Sequence, residues 1–326
     1  MIRKVLAISA AAVLVAGCSA TDEDTTPTGP IAVTATTNVW GSIAEFIGGD
    51  MVEVTSIVDQ PTIDPHSYEP SARDLLSVQD AEMVLVNGGG YDSFMDSLVD
   101  QAEGTRVVVR AVEGEGDHDH SDEEHSEEGH AEDDDGHDHG SHADGNEHVW
   151  YDFHVVEEVA NEILAAFTQL RPESAGDFQA RHTVFVDELE VLEVRLEALR
   201  EKALGFGVFS LTPLASIMIE EAGLTEYAPS ELLEAVEEER DIPPSALAEA
   251  VEIFNDPDVL MVITNDQVTD TQMQGIADTA MANGLPVVGL SELIPNEDWD
   301  YLDWMANNLD VLMATVDQSL PEQNEN

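Results

Sequence analysis

Two short stretches of this chain place histidine where its surroundings could hold a metal ion. In Asp64-Pro65-His66-Ser67-Tyr68-Glu69-Pro70, two prolines pin the backbone around one imidazole. Neutral imidazole is a good zinc ligand, and a pinned ring presents a fixed geometry. A surface-loop histidine held by turn chemistry is the other reading of this stretch. The second stretch is Asn146-Glu147-His148-Val149-Trp150-Tyr151-Asp152. Its aromatic pair announces packed structure, and Asp152 is suited to cap a following helix. One nitrogen of His148 could bind metal while the other donates to a carboxylate or carbonyl. Just before it, the segment from Gly116 to His142 carries seven histidines among acidic residues, with no lysine, arginine or large apolar residue. That composition predicts disorder without metal, and low complexity cannot fix one geometry. The run therefore reads as an antechamber that collects ions loosely near His148, and not as the site.

The elements that must position these residues follow an α/β rhythm. Candidate strands in the first half are Ile31–Thr37, Met51–Val58, Met83–Asn87 and Arg106–Val109, with helices at Val39–Ile47, Ala72–Gln79 and Ser93–Ala102. Helical periodicity resumes over Val155–Leu170. In the second half Gly207–Leu211, Val259–Thr264 and Pro286–Leu290 read as strands, among helices at Leu214–Ala222, Ser245–Phe254, Thr271–Ala282 and Trp299–Val316. Between the halves, Phe178, Phe185, Leu189, Leu192, Leu196 and Leu199 form one apolar stripe of a long helix. Pro172 stands near its start and Gly205 just past its end, the expected punctuation. About thirty residues at ~1.5 Å each make a rod of roughly 45 Å, a stiff connector between two lobes. His182 on that helix reads as a surface residue, and His154 as a solvent-facing or capping one.

The opening MIRKVLAISAAAVLVAGCSA has the basic, apolar and small-residue regions of an export signal. Val15-Ala16-Gly17-Cys18 resembles a bacterial lipobox, which makes Cys18, the only cysteine, the expected lipidation site. The divisions are then a signal at 1–17, a tether at 18–30 and a first lobe at 31–170 with a disordered loop at 113–145. A linking helix at 171–204, a second lobe at 205–317 and a disordered tail at 318–326 follow. With 11 basic residues against 69 acidic ones, the formal net charge is −58. Such a surface repels nucleic acid, and a salt-adapted source would account for its density.

DPHSYEP, the stretch LVNGGGYDSFMDSL, an acidic His-rich insertion, NEHVWYD and a long linking helix together resemble the metal-binding lipoproteins of bacterial zinc and manganese ABC importers. The resemblance covers about Ile31 to Val316. It implies two Rossmann-like α/β lobes joined by one long rigid helix, with a single metal in the cleft between them. The family's first two histidines fall on His66 and His148. Its third, in the second lobe, falls on Thr212, and no histidine follows His182. The family carboxylate falls on Glu292, and Asn265 lies where it could orient a ligand or water. Two imidazoles and one carboxylate would leave zinc an open position, and harder ligands shift preference toward manganese or iron(II).

The resemblance implies an exported receptor, lipid-anchored on the outer face of the cytoplasmic membrane. It would capture Zn2+, or alternatively Mn2+ or Fe2+, as a monomer and pass it to membrane permease and ATPase subunits. The chain has no G-x-x-x-x-G-K-[ST] loop of its own. Protonating the histidines at mildly acidic pH is expected to weaken binding. Two other classes stay open: a surface metal buffer or adhesin-like protein working through the His-rich run, and a zinc hydrolase using the open position. Against the hydrolase, there is no H-E-x-x-H and no evident general base beside the histidines.

Overall fold

The computed structural model describes residues 29–112, 146–237, 240–267 and 271–320. Cys18, the export signal, the His-rich run and the end of the tail lie outside those residues.

The first lobe runs β1 (Ile31–Thr37), α1 (Asn38–Gly48), β2 (Val52–Val58), α2 (Ala72–Asp80), β3 (Met83–Gly88), α3 (Ser93–Gln101) and β4 (Val107–Val112). Its four strands are all parallel in the order β2-β1-β3-β4. Every residue of β3 is buried, as expected of a central strand covered on both faces. A short 3-10 turn (Val149–Tyr151) leads into α4 (Phe153–Leu170), and α5 (Ala175–Ala203) follows. The second lobe comprises β5 (Gly207–Ser210), α6 (Ser216–Glu221), β6 (Thr225–Glu226), α7 (Ser230–Glu237), α8 (Pro244–Ile253), β7 (Val259–Asn265), α9 (Thr271–Ala282), β8 (Val287–Leu290) and α10 (Tyr301–Ser319). Its parallel order, β6-β5-β7-β8, repeats that of the first lobe. In both sheets the order reverses beside the lobe's first strand, and in such sheets ligands bind at the carboxyl ends of the strands around that reversal. Among the described residues, no helix is long and apolar enough to cross a membrane.

Two elements have no counterpart in the sequence pattern. β6 is only two residues long, too short for any period to register. In α7, SELLEAVE, Leu232 and Ala235 are the fully buried apolar positions, too few for a clear stripe. α10 begins at Tyr301, two residues later than Trp299, because the Asp300 side chain accepts from Asp303 N at 2.8 Å and caps it.

On α5 the whole apolar stripe is buried: Phe178, Phe185, Leu189, Leu192, Leu196 and Leu199. α1, α4 and α10 pack against this helix, so one core cluster serves both lobes. The lobes are also stitched by polar contacts. Asn38 Nδ2 donates to Ile294 O at 3.0 Å, and Ile294 N donates to Asn38 Oδ1 at 3.1 Å. Tyr301 Oη donates to Trp150 O at 2.7 Å, and Tyr151 Oη to Ser291 O at 2.8 Å.

His182 corrects the surface reading. It follows Phe178 by four residues, which places it on the buried stripe, and it is 7% exposed with Nε2 lacking a hydrogen-bond partner. Four residues is close to one helical turn, so the ring shares the face of Phe178 and turns inward with the stripe. Burial lowers the affinity of this imidazole for protons. Replacing His182 with leucine should therefore stabilise the protein by about 1–3 kcal/mol, by removing an unmatched buried polar atom. The sign with pH follows from the depressed folded pKa. Above the unfolded value of 6.5 the neutral ring costs nothing in protons, and stability falls as pH drops and the unfolded chain binds the proton first. Urea denaturation across pH 5 to 8 should show that loss reduced in His182→Leu.

Candidate metal centre

The residues singled out from the sequence converge at the carboxyl ends of both sheets. His66 lies in the loop after β2, His148 in the segment after β4, Thr212 after β5, Asn265 at the end of β7 and Glu292 after β8. They line one cavity of about 260 Å³, together with Asp64, Glu147 and residues of the second lobe such as Arg240 and Gln272.

His148 is the most deeply set, at 4% exposure, and its surroundings settle its tautomer. Asn146 Nδ2 donates to Pro213 O across the lobes at 3.0 Å, which identifies Asn146 Oδ1 as an acceptor. That oxygen takes His148 N at 2.9 Å and lies 2.8 Å from His148 Nδ1. Nδ1 must then carry the hydrogen, leaving the Nε2 lone pair for a metal. Trp150 supports the ring edge-on, with centroids 5.3 Å apart, and Tyr91 stands edge-on to His66 at 4.8 Å. The two imidazole centroids are 5.8 Å apart.

Tyr91 is placed by the glycine turn of LVNGGGYDSF. Gly88 has a φ of 80°, and a Cβ there would come within 2.1 Å of Val112 O, so only glycine fits. Asp92 then closes the turn by accepting from Asn87 N at 2.7 Å, from Gly88 N at 2.8 Å and from the Thr36 hydroxyl.

His66 joins the two lobes' donors. Its backbone N donates to Asp64 Oδ1 at 3.0 Å, while Nδ1 lies 3.1 Å from Glu147 Oε1 and Nε2 3.8 Å from Glu292 Oε2. Donor atoms of His66, Glu147 and His148 all fall within 4.8 Å of one another, as do those of Asp64, His66 and Glu292. Glu292 is 6% exposed and is held by Asn265 Nδ2 at 2.7 Å and, weakly, by Tyr91 Oη at 3.4 Å. Asn265 thus reaches the carboxylate. Thr212 is buried with its hydroxyl unpartnered.

Asp64, Glu147 and Gln267, like Asn146 and Tyr91, are contributors that the sequence did not mark. Asp64 and Glu147 stand within the quoted motifs, but in so acidic a chain nothing marked them apart. Gln267 accepts from Glu292 N and from Leu293 N, the latter at 2.9 Å, and donates to Pro61 O of the first lobe at 2.9 Å. The signal available was its place two residues past Asn265, just beyond β7.

The electrostatics keep the direction of the expected pH response but move it from His148 to Glu292. Burial first and the His66 charge second lower the pKa of His148 to about 3, so this ring stays neutral through mildly acidic pH. Glu292 is instead pushed up to about 7 by burial and then by the Asp64 charge, against the hydrogen bonds from Asn265 and Tyr91. Between its ordinary value of 4.5 and about 7 the carboxyl holds a proton that an arriving cation must expel. Affinity therefore falls as pH drops through 7, and Glu292→Gln should remove about one proton from the slope of log Kd against pH. Titrations between pH 5 and 7 check this, and parallel slopes for the two proteins would refute it.

Comparisons with known proteins bear on the family and on the fold. A family model described as zinc-uptake complex component A, periplasmic, matches residues 33–315. The manganese-binding lipoprotein MntA of Halalkalibacterium halodurans is 25% identical over 184 residues, 56% of this chain and 54% of that protein. The zinc-binding lipoprotein AdcA of Streptococcus pneumoniae serotype 4 is 22% identical over 304 residues, 84% of this chain and 54% of that protein. The matches thus span about half the length of these curated relatives. Among solved structures, a crystal structure of ZnuA superposes with a TM-score of 0.67 at 19% identity, covering 89% of this chain and 100% of that one. The periplasmic zinc-binding protein TroA of Treponema pallidum gives 0.66 at 16% identity, covering 88% and 99%. At these identities the structural likeness concerns the fold.

Proposed function

Since the chain belongs to the family of the periplasmic zinc-uptake complex component A, we propose that it is the extracytoplasmic receptor of an ABC importer. On this reading it captures one divalent transition metal and hands it to permease and ATPase subunits. The metal is cargo, held by His66, His148 and Glu292, with Asp64 and Glu147 within reach as further carboxylate donors. The observation that carries the proposal is that convergence: imidazoles from the first lobe and a buried carboxylate from the second face one cavity. Asn265 and Gln267 orient Glu292, and Asn146 orients His148. Release then requires the permease to draw Glu292 away from the two histidines. The Gln267 bond to Pro61 and the Asn146 bond to Pro213 are among the contacts between the lobes that such a movement strains.

Zinc is the proposed cargo. Manganese or iron(II) is the second reading, favoured by the carboxylates around His66, since harder oxygen donors suit those ions. Cys18 is the proposed lipid anchor, which holds a monomer on the outer face of the cytoplasmic membrane. The His-rich run serves as a loose collector of ions.

Metal analysis after native purification, followed by titration of His66→Ala and Glu292→Ala, tests the site. Each variant should lose the single tight equivalent. If both held one equivalent as tightly as the wild type, the proposed site would be wrong. Deleting Asp117–His142 separates a receptor from a buffer, because a receptor keeps its tight equivalent and a buffer loses nearly all capacity.

A further inference from the structure

The 3-10 turn that starts after His148 ends at Asp152, whose two carboxylate oxygens have different surroundings. Oδ1 caps α4, accepting from His154 N at 2.9 Å and from Val155 N at 3.3 Å. Oδ2 has no hydrogen-bond partner, although Asp152 is fully buried at 0% exposure. An oxygen of an anionic group is costly to bury unmatched, so it invites a positive partner.

Two further donors stand beside the Asp152 carboxylate. His154 lies in the first turn of α4 with its side chain 72% exposed, and Glu221 closes α6 in the second lobe. Donor atoms of Asp152, His154 and Glu221 all lie within 4.8 Å of one another. His154 Nδ1 is 3.7 Å from Asp152 Oδ1, too far for a hydrogen bond, so the ring is near the carboxylate without being tied to it. The Arg200 guanidinium donates to the backbone carbonyl of Glu221 at 3.0 Å. The pKa of the Glu221 carboxyl is raised to about 7, by burial first and by the Asp152 charge second. The guanidinium thus reaches the Glu221 carbonyl, while the Asp152 and Glu221 carboxyls stand close enough for the charge of one to oppose ionisation of the other.

We propose that Asp152, His154 and Glu221 form a second site for a divalent transition metal, separate from the cleft and joining the two lobes. One imidazole and two carboxylates are a donor set that zinc accepts, and the exposed side of His154 leaves room for water to complete the shell. The site shares no residue with the cleft clusters. It lies at the opposite end of the turn from His148, so a metal there would tie α6 to the segment that presents the cleft histidine.

The test is a zinc-edge anomalous difference map from crystals of the full mature chain grown with excess zinc. The expected result is a peak about 2.0–2.2 Å from an Asp152 carboxylate oxygen, a His154 ring nitrogen and a Glu221 oxygen. His154→Ala and Glu221→Gln should each abolish this peak and leave any cleft peak in place. Because His154 is largely exposed, its substitution leaves the core untouched. Absence of the peak, its survival in both variants, or its completion by a ligand from a neighbouring molecule would overturn the assignment.

Discussion

His148→Ala should weaken binding of the tight metal equivalent by more than about 100-fold, a larger loss than any outer partner causes. Losing an outer hydrogen-bond partner of a ligand costs roughly 10–100-fold. Asn146→Ala belongs in that range, because the ring remains and only its tautomer and orientation are freed. Removing the ring takes away the donor itself. His148 is also ready to bind without a competing proton, since burial and His66 lower its pKa to about 3. Competition against a chromophoric chelator at pH 7 separates the tight equivalent from loose binding to the His-rich run. A His148→Ala variant within tenfold of the wild type would place the metal elsewhere. Circular dichroism of both variants guards against a folding defect, and none is expected of Asn146→Ala.

The two histidines were legible because their neighbours restrict them. Prolines flank His66, and an aromatic pair and a helix cap follow His148, so type and spacing carried the information. The α/β alternation and the stripe of α5 were legible for a similar reason, since burial on one helix face leaves a period. The carboxylates are a different case. With 69 acidic residues in the chain, an isolated glutamate carries almost no signal, and Glu292 was reached through resemblance. Asp64 and Glu147 become distinctive only when the loop after β2 meets the segment after β4. Gln267 is more extreme, because its bond to Pro61 spans 206 positions of sequence and no local pattern encodes it. His182 shows the converse error. A buried histidine and a surface histidine look alike until the helix phase is followed strictly.

Thr212→His should raise zinc affinity by at least about tenfold and widen the preference for zinc over manganese. Thr212 lines the same cavity as His66, His148 and Glu292, follows β5 and is buried with an unpartnered hydroxyl. An imidazole there gives the second lobe a nitrogen donor to set beside Glu292. Three imidazoles and one carboxylate fill a tetrahedral zinc shell without drawing on Asp64 or Glu147. Manganese gains less, because it prefers a higher share of oxygen donors. A gain of tenfold corresponds to about 1.4 kcal/mol, modest for one added ligand, since the larger ring must also displace water and fit against Pro213. Parallel titrations with zinc and manganese at one pH measure both effects. An equal gain for the two ions would mean that the new ring strengthens packing and does not join the metal. If neither affinity changed while the variant stayed folded, the strand end at Thr212 would not face the ion, and the second lobe's contribution would rest on Glu292 alone.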